Sequence, residues 1–121
     1  MRDYKKYDVW NKSHELVLVV YKQIVPKFPK EERFGLTSQM KRAASSIPLT
    51  IAEGCGKNSD KDFVHFLDIS LGSTQELEYC FLLAKDLDFI CFEDYIMVNE
   101  KVNEIKAKLI KLIKIIRNNN S

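Results

Sequence analysis

His14, His65, Cys55, Cys80, Cys91 and the carboxylate of Glu53 are the side chains here best suited to chemistry, and their spacing limits what they can do. A di-iron helical bundle needs Glu-x-x-His on two helices plus further inward carboxylates. The nearest match is Asp62-x-x-His65, present once, at what reads as a helix start. Nucleophilic catalysis needs a serine or cysteine beside a histidine base. The two histidines fall on separate predicted helices, and His14, three residues before Val17, reads as a packed or surface histidine. No arginine has a histidine five to seven positions later, which excludes a helical endoribonuclease of the Arg-x4–6-His type. Gly54-Cys55-Gly56 lacks the following Lys-Ser/Thr and the preceding strand of a phosphate-binding glycine loop. The cysteines form no Cys-x-x-Cys pair and no metal-ligand spacing with either histidine, so reduced, mostly buried thiols in a cytoplasmic protein are expected. The residues thus point away from an enzyme, a metal and a cofactor.

The elements that position these side chains follow from composition and period. The 121 residues allow one domain with one core, over residues 1–121, with 1–7 and 118–121 expected to fray. At 45% hydrophobic and 30% charged, with four glycines and three prolines, long uninterrupted helices are favoured over turn-rich strands. The N-terminal MRDYKKYDVW holds no apolar signal region, and no run is long enough to span a membrane. A first helix is predicted over Val9–Val25, with Asp8 as N-cap and Trp10, Val17, Tyr21 and Ile24 as its apolar line. Pro26 and Pro29 stop it. A second opens near Thr37, with Leu36, Met40, Ala43, Ile47 and Ile51 as a core stripe, and stops at Gly54 and Gly56 through the left-handed conformation glycine tolerates. A third, capped by Ser59 or Asp60, runs to Asp88 with Phe63, Phe66, Leu67, Leu77 and Phe81 inward. Ile69, Leu83 and Leu87 lie well round from that face, so part of this helix is expected to meet another subunit. A fourth runs from Glu93 to Arg117 on a heptad of Val98, Val102, Ile105, Leu109, Leu112 and Ile116, widened by Ile110, Ile113 and Ile115. The fold class is therefore all-α, an up-down antiparallel four-helix bundle.

"SSIPLTIAEGCG", Ser45 to Gly56, carries the features a plain helix would avoid. Pro48 cannot donate to the carbonyl of Ala44, and in an isolated helix interior this costs about 3 kcal/mol. Its small neighbours Ala43, Ala44, Ser45 and Ser46 permit close helix approach, and their hydroxyls can bond freed carbonyls, so a helix kinked at Pro48 is expected. Arg42, Ser46, Leu49 and Glu53 fall on one stripe at about 100° per residue. Leu49 among polar groups reads as an interface. Glu53 stands in the last turn, where the helix dipole disfavours an anion by roughly 0.3–1 kcal/mol. Arg42 of a neighbour, or backbone N–H groups beyond Gly54, are the expected partners. Gly72-Ser73 in the third helix costs about 1 kcal/mol in propensity at the glycine, which close helix–helix contact would offset. Ser70 and Thr74 are expected to bond back to their own helix.

From Phe28 to Glu78 the chain resembles the 23S rRNA intervening-sequence proteins, a bacterial family of four-helix bundles. The resemblance is carried by Pro29–Glu32, Gly35-Leu36, Gln39, Arg42-Ala43, Ser46-Ile47-Pro48, Ile51-Ala52-Glu53-Gly54, Phe63, Phe66-Leu67, Gly72-Ser73 and Glu76-Leu77. Leu49 lies inside this signature, and Thr50 stands where the family usually has asparagine. The resemblance implies a ring, most often a homopentamer. It also implies a genetic link to sequences inserted in 23S rRNA genes. Similar bundles act as accessory proteins of diversity-generating retroelements, binding nucleic acid and a reverse transcriptase.

Charge distribution points the same way. From Lys101 to Ser121 six basic residues face Glu104 alone, whereas the whole chain carries +2. Lys41, Arg42, Lys57, Lys108, Lys111 and Lys114 are the candidate phosphate contacts. Two readings stand side by side: a non-enzymatic, ring-forming adaptor for RNA, DNA or a nucleic-acid enzyme, and a purely structural bundle whose charge keeps it in solution. Convergence of the basic residues on one face separates them.

Overall fold

The computed structural model describes residues 1–119, and among them every regular element is helical. Four helices, α1 (Asp8–Val19), α2 (Leu36–Cys55), α3 (Asp60–Asp86) and α4 (Phe92–Asn119), run up and down as an antiparallel bundle. Residues 120–121, part of the segment expected to fray, lie outside the described residues.

The chain begins differently from its expectation. Tyr4–Lys6 form a turn of 3-10 helix capped by Asp3, whose side chain accepts from Lys5 N–H at 3.1 Å. Residues 1–7 are held because Arg2 N–H reaches the Cys55 carbonyl and its guanidinium reaches the Lys57 carbonyl and Asp60. Asp8 is not the N-cap but the first residue of α1; Tyr7 takes the cap position without a side-chain bond. The buried line of α1 and the turn after it is Val9, Ser13, Leu16, Val20 and Ile24: Ile24 is buried as expected, and the others lie one position round from the line of Trp10, Val17 and Tyr21. Trp10 and Val17 are half-buried and Tyr21 is exposed, because their stripe lines the seam with α2 rather than the centre. Past Val19 the helix widens into a π turn, Val20–Ile24, and tightens to 3-10 at Val25–Lys27.

α2 opens one residue earlier than expected because Glu32 Oε1 accepts from Leu36 N–H at 3.0 Å, capping its first turn. It continues as helix through Pro48 to Cys55. No glycine of the described chain has a positive φ, so α2 does not end by a left-handed glycine. Gly56 follows it with φ −81°. α3 is capped as expected by Ser59, whose hydroxyl accepts from Asp62 N–H at 3.1 Å. It stops at Asp86, and the left-handed residue is Asp88, with φ 61°. Phe89 N–H then bonds the Ala84 carbonyl at 2.8 Å and Asp88 N–H bonds that of Lys85, a Schellman closure without glycine. On α4, Val98, Val102, Ile105 and Leu109 are buried as the heptad requires, but Ile113 follows them inward. Leu112 and Ile116 are only half-buried, since a straight helix of 3.6 residues per turn drifts off a 3.5 repeat.

Ser13, Thr50, Ser70 and Thr74 are buried, and among the described residues no buried side-chain nitrogen or oxygen lacks a partner.

Candidate nucleic-acid interface

The residues of the sequence signature act first on one another. Gly35 stands where a Cβ would come within 2.9 Å of Glu32 Oε1, so glycine keeps the cap of α2 open to that carboxylate. The Gln39 side-chain oxygen accepts from Arg42 Nη2 at 2.5 Å, on the exposed side of α2. Ser46 and Ser73 share a hydrogen bond of 2.9 Å across the α2–α3 seam. Gly54 packs so closely on α3 that an added Cβ would lie 2.9 Å from Phe66 Cβ and 3.3 Å from the Phe63 carbonyl. Its role is helix approach, not backbone conformation.

Around Pro48 the hydroxyls do bond carbonyls, but those of Arg42, Ser46 and Ile47. Ser45 donates to Arg42, Thr50 to Ser46 at 2.7 Å and to Ile47, and Ser70 to Ile47 at 3.0 Å. Ser70 therefore bridges to α2 rather than bonding back to α3, whereas Thr74 does bond back, to Ser70. Thr50 keeps its hydroxyl on its own helix.

Other signature residues face outward. Leu49 is 62% exposed and Glu53 is exposed with no partner among the described residues. Gly72 has nothing within 4 Å of an added Cβ, so the expected close helix contact is not made inside the bundle. Ile69, Gly72, Glu76 and Tyr79 share one exposed side of α3 at steps of three, four and three.

The basic candidates divide. Antiparallel packing gathers the N-terminal turn, the α2–α3 connection and the last turns of α4 at one end of the bundle, as the ion pairs Asp8–Lys108 and Asp68–Arg117 record. Lys57, Lys108, Lys111 and Lys114 belong to this end, whereas Lys41 and Arg42 lie nearer the other end of α2. Lys108 donates to Asp8 at 2.6 Å; that hydrogen bond holds Asp8 below the usual carboxylate range and raises the Lys108 ammonium. Lys57 Nζ sits 5.0 Å over the Phe66 ring and Lys41 Nζ 5.0 Å over Tyr21. Lys111 and Lys114 are exposed, without an ion pair among the described residues. Residues 1–8, 53–68 and 106–119, which build this end, contain ten basic and six acidic side chains.

The two histidines are engaged with rings. His14 stacks on Trp10 at 5.1 Å and 8°, and His65 meets Phe66 edge-on at 5.5 Å. Among the described residues no group of three or more His, Cys, Asp or Glu is placed to hold a metal, and no helix is long and apolar enough to cross a membrane. Cys55 and Cys80 are buried and Cys91 is exposed; burial pushes the Cys80 thiol up to about 11.

Sequence reasoning missed Arg2, Tyr4 and Lys5 because it let the first seven residues fray. Tyr4 packs on Trp10 at 4.8 Å, and Arg2 lies 4.3 Å over the Phe63 ring. The i, i+4 spacing of Trp10 and His14 was a readable sign of their stacking.

These features define an all-α four-helix bundle in which part of the signature caps and packs the helices and part faces outward, with lysines gathered at one end. The chain belongs to the 23S rRNA-intervening sequence protein family, whose model matches residues 5–111. It is also similar to a crystal structure from Bacteroides thetaiotaomicron, described as a protein with unknown function from the S23 ribosomal protein family. The two share 29% identity and a TM-score of 0.81, over 88% of this chain and 98% of that one. No curated protein matches the chain.

Proposed function

We propose that the protein is a non-enzymatic, ring-forming adaptor that works in the cytoplasm and binds nucleic acid, or an enzyme acting on it, through the basic end of the bundle. The observation that carries this reading is the set of cations there with no carboxylate partner among the described residues: Lys5, Lys6, Lys57, Lys61, Lys111 and Lys114. Ammonium groups free of carboxylates bind phosphate mainly by counterion release, which is tolerant of sequence and steep in salt. Ring assembly, with five copies as the family resemblance implies, is supported by the exposed side of α3. Ile69 is 41% and Tyr79 61% exposed there, around an unfilled Gly72. A native mass measurement tests the ring: a pentameric mass is expected, and a monomer at all concentrations contradicts it. Fluorescence anisotropy with labelled RNA and DNA tests the binding. Affinity at ~50 mM salt that falls steeply as salt rises is expected, and no affinity there leaves the purely structural reading.

A further inference from the structure

Three features find no partner inside one copy of the bundle. The seam between α1 and α2 holds an apolar groove of about 340 Å³, lined by Tyr4, Trp10, His14, Pro48, Leu49 and Ala52. Trp10 is covered by His14, stacked at 5.1 Å, and by Tyr4, so the groove offers hydrocarbon rather than an open ring face. Leu49 stands 62% exposed on its rim. On α3, Gly72 sits mid-helix at a propensity cost of about 1 kcal/mol, yet nothing lies within 4 Å of an added Cβ. The exposed Ile69 and Tyr79 flank that gap, and Glu76 beside them is exposed with no ion pair among the described residues.

We propose, on the ring reading above, that the α1–α2 groove is the seat for α3 of the next copy. A ring is closed by a heterologous contact, in which two different patches of the chain meet. The groove with Leu49 is one patch, and the outer side of α3 is the other. Leu49 seats over Gly72, between Ile69 and Glu76, where any larger residue would hold the helices apart. The Tyr79 ring enters the groove. Lys41 lies on the same seam, its Nζ 5.0 Å over Tyr21, and supplies the cation for Glu76. The contact is apolar at its centre and charged at its edge, the usual anatomy of an interface. It uses none of the lysines of the basic end, so ring contact and nucleic-acid site are available together.

Leu49→Glu spoils the groove and leaves α3 intact, whereas Tyr79→Glu does the reverse. Both positions are exposed, so each variant is expected to keep the wild-type helical circular dichroism spectrum. The full-length proteins are measured by native mass spectrometry, singly and as an equimolar mixture of the two variants. Wild type is expected to assemble, and each variant alone to run as monomer, its self-association weakened about tenfold or more. The mixture is expected to give a species of two copies, since one intact groove meets one intact α3 while both outer patches are spoiled. A wild-type assembly beside a mixture that stays monomeric, or beside variants that assemble like wild type, overturns this contact and leaves the ring reading standing on other surfaces. A wild-type protein that is monomeric at every concentration overturns both.

Discussion

Gly54 of α2 faces Phe66 of α3 with no room for a side chain: a Cβ added at Gly54 would lie 2.9 Å from Phe66 Cβ and 3.0 Å from Phe63 Cδ1. Neither neighbour is the free end of a flexible chain, so Gly54→Ala forces the helices apart. Overpacking of this kind costs typically 1–3 kcal/mol, against about 1 kcal/mol returned by better helix propensity. A net loss of up to about 2 kcal/mol is expected, read in urea as a lower midpoint at unchanged slope. Gly72→Ala is the contrast, since nothing lies within 4 Å of its added Cβ. It should leave the helical fold intact and show its effect in the mass of the assembly.

The cysteines give a pH prediction whose sign follows from burial. Cys80 has its thiol raised from about 9 to about 11 by desolvation. A group that holds its proton more tightly when folded contributes its full stability below the unfolded value and loses it as pH rises through the folded one. Denaturant unfolding should therefore weaken between about pH 9 and 11, and Cys80→Ala or Cys80→Val should flatten that part of the profile. At pH 8 a maleimide should label Cys91 promptly, with Cys55 and Cys80 protected until the chain unfolds.

Much of this architecture was readable from the sequence, and the misses have physical causes. The stripe Leu36, Met40, Ala43, Ile47 and Ile51 is buried throughout because α2 has two neighbours and a clear 3.6 period. α1 came out one position round because Trp10 and Tyr21 are large enough to be apolar at a seam as well as in a core. Leu16 and Val20 fill the centre instead. The end of α3 falls within two residues of its expectation, but its closure was not legible because Asp88, not glycine, adopts the left-handed conformation. The spacing of the lysines was legible. Their gathering at one end was not, because it depends on which helix ends antiparallel packing brings together.

Glu53 is the residue whose missing partner sequence alone exposed. Its carboxylate is exposed and bonds no described residue, so within one bundle its loss should be almost neutral. Arg42 of a neighbouring copy remains the proposed partner, since both lie on the same exposed stripe of α2 as Leu49. Glu53→Ala should therefore leave the unfolding midpoint of the isolated protomer nearly unchanged and shift the native mass toward smaller species. A native mass identical to wild type would remove this role for Glu53.

The hydrogen bond between Asp8 and Lys108 sets a local titration. Lys108 holds Asp8 below the ordinary carboxylate range, so Asp8 stays charged to lower pH than a free aspartate. Lys108→Ala should raise the Asp8 midpoint in an NMR titration. Added nucleic acid should perturb Lys108 less than Lys111 or Lys114, whose ammonium groups carry no such pair.

The salt dependence of RNA binding, compared between the wild type and the Lys111→Ala/Lys114→Ala double variant, tests the central claim most directly. Each lysine that neutralises a phosphate contributes about 0.7–0.9 to the slope of log affinity against log salt. The double variant should bind more weakly at ~50 mM salt, with a slope reduced by roughly 1.4–1.8 and an unchanged helical fold. Equal affinity and equal slope for the two proteins would contradict binding through the basic end of the bundle.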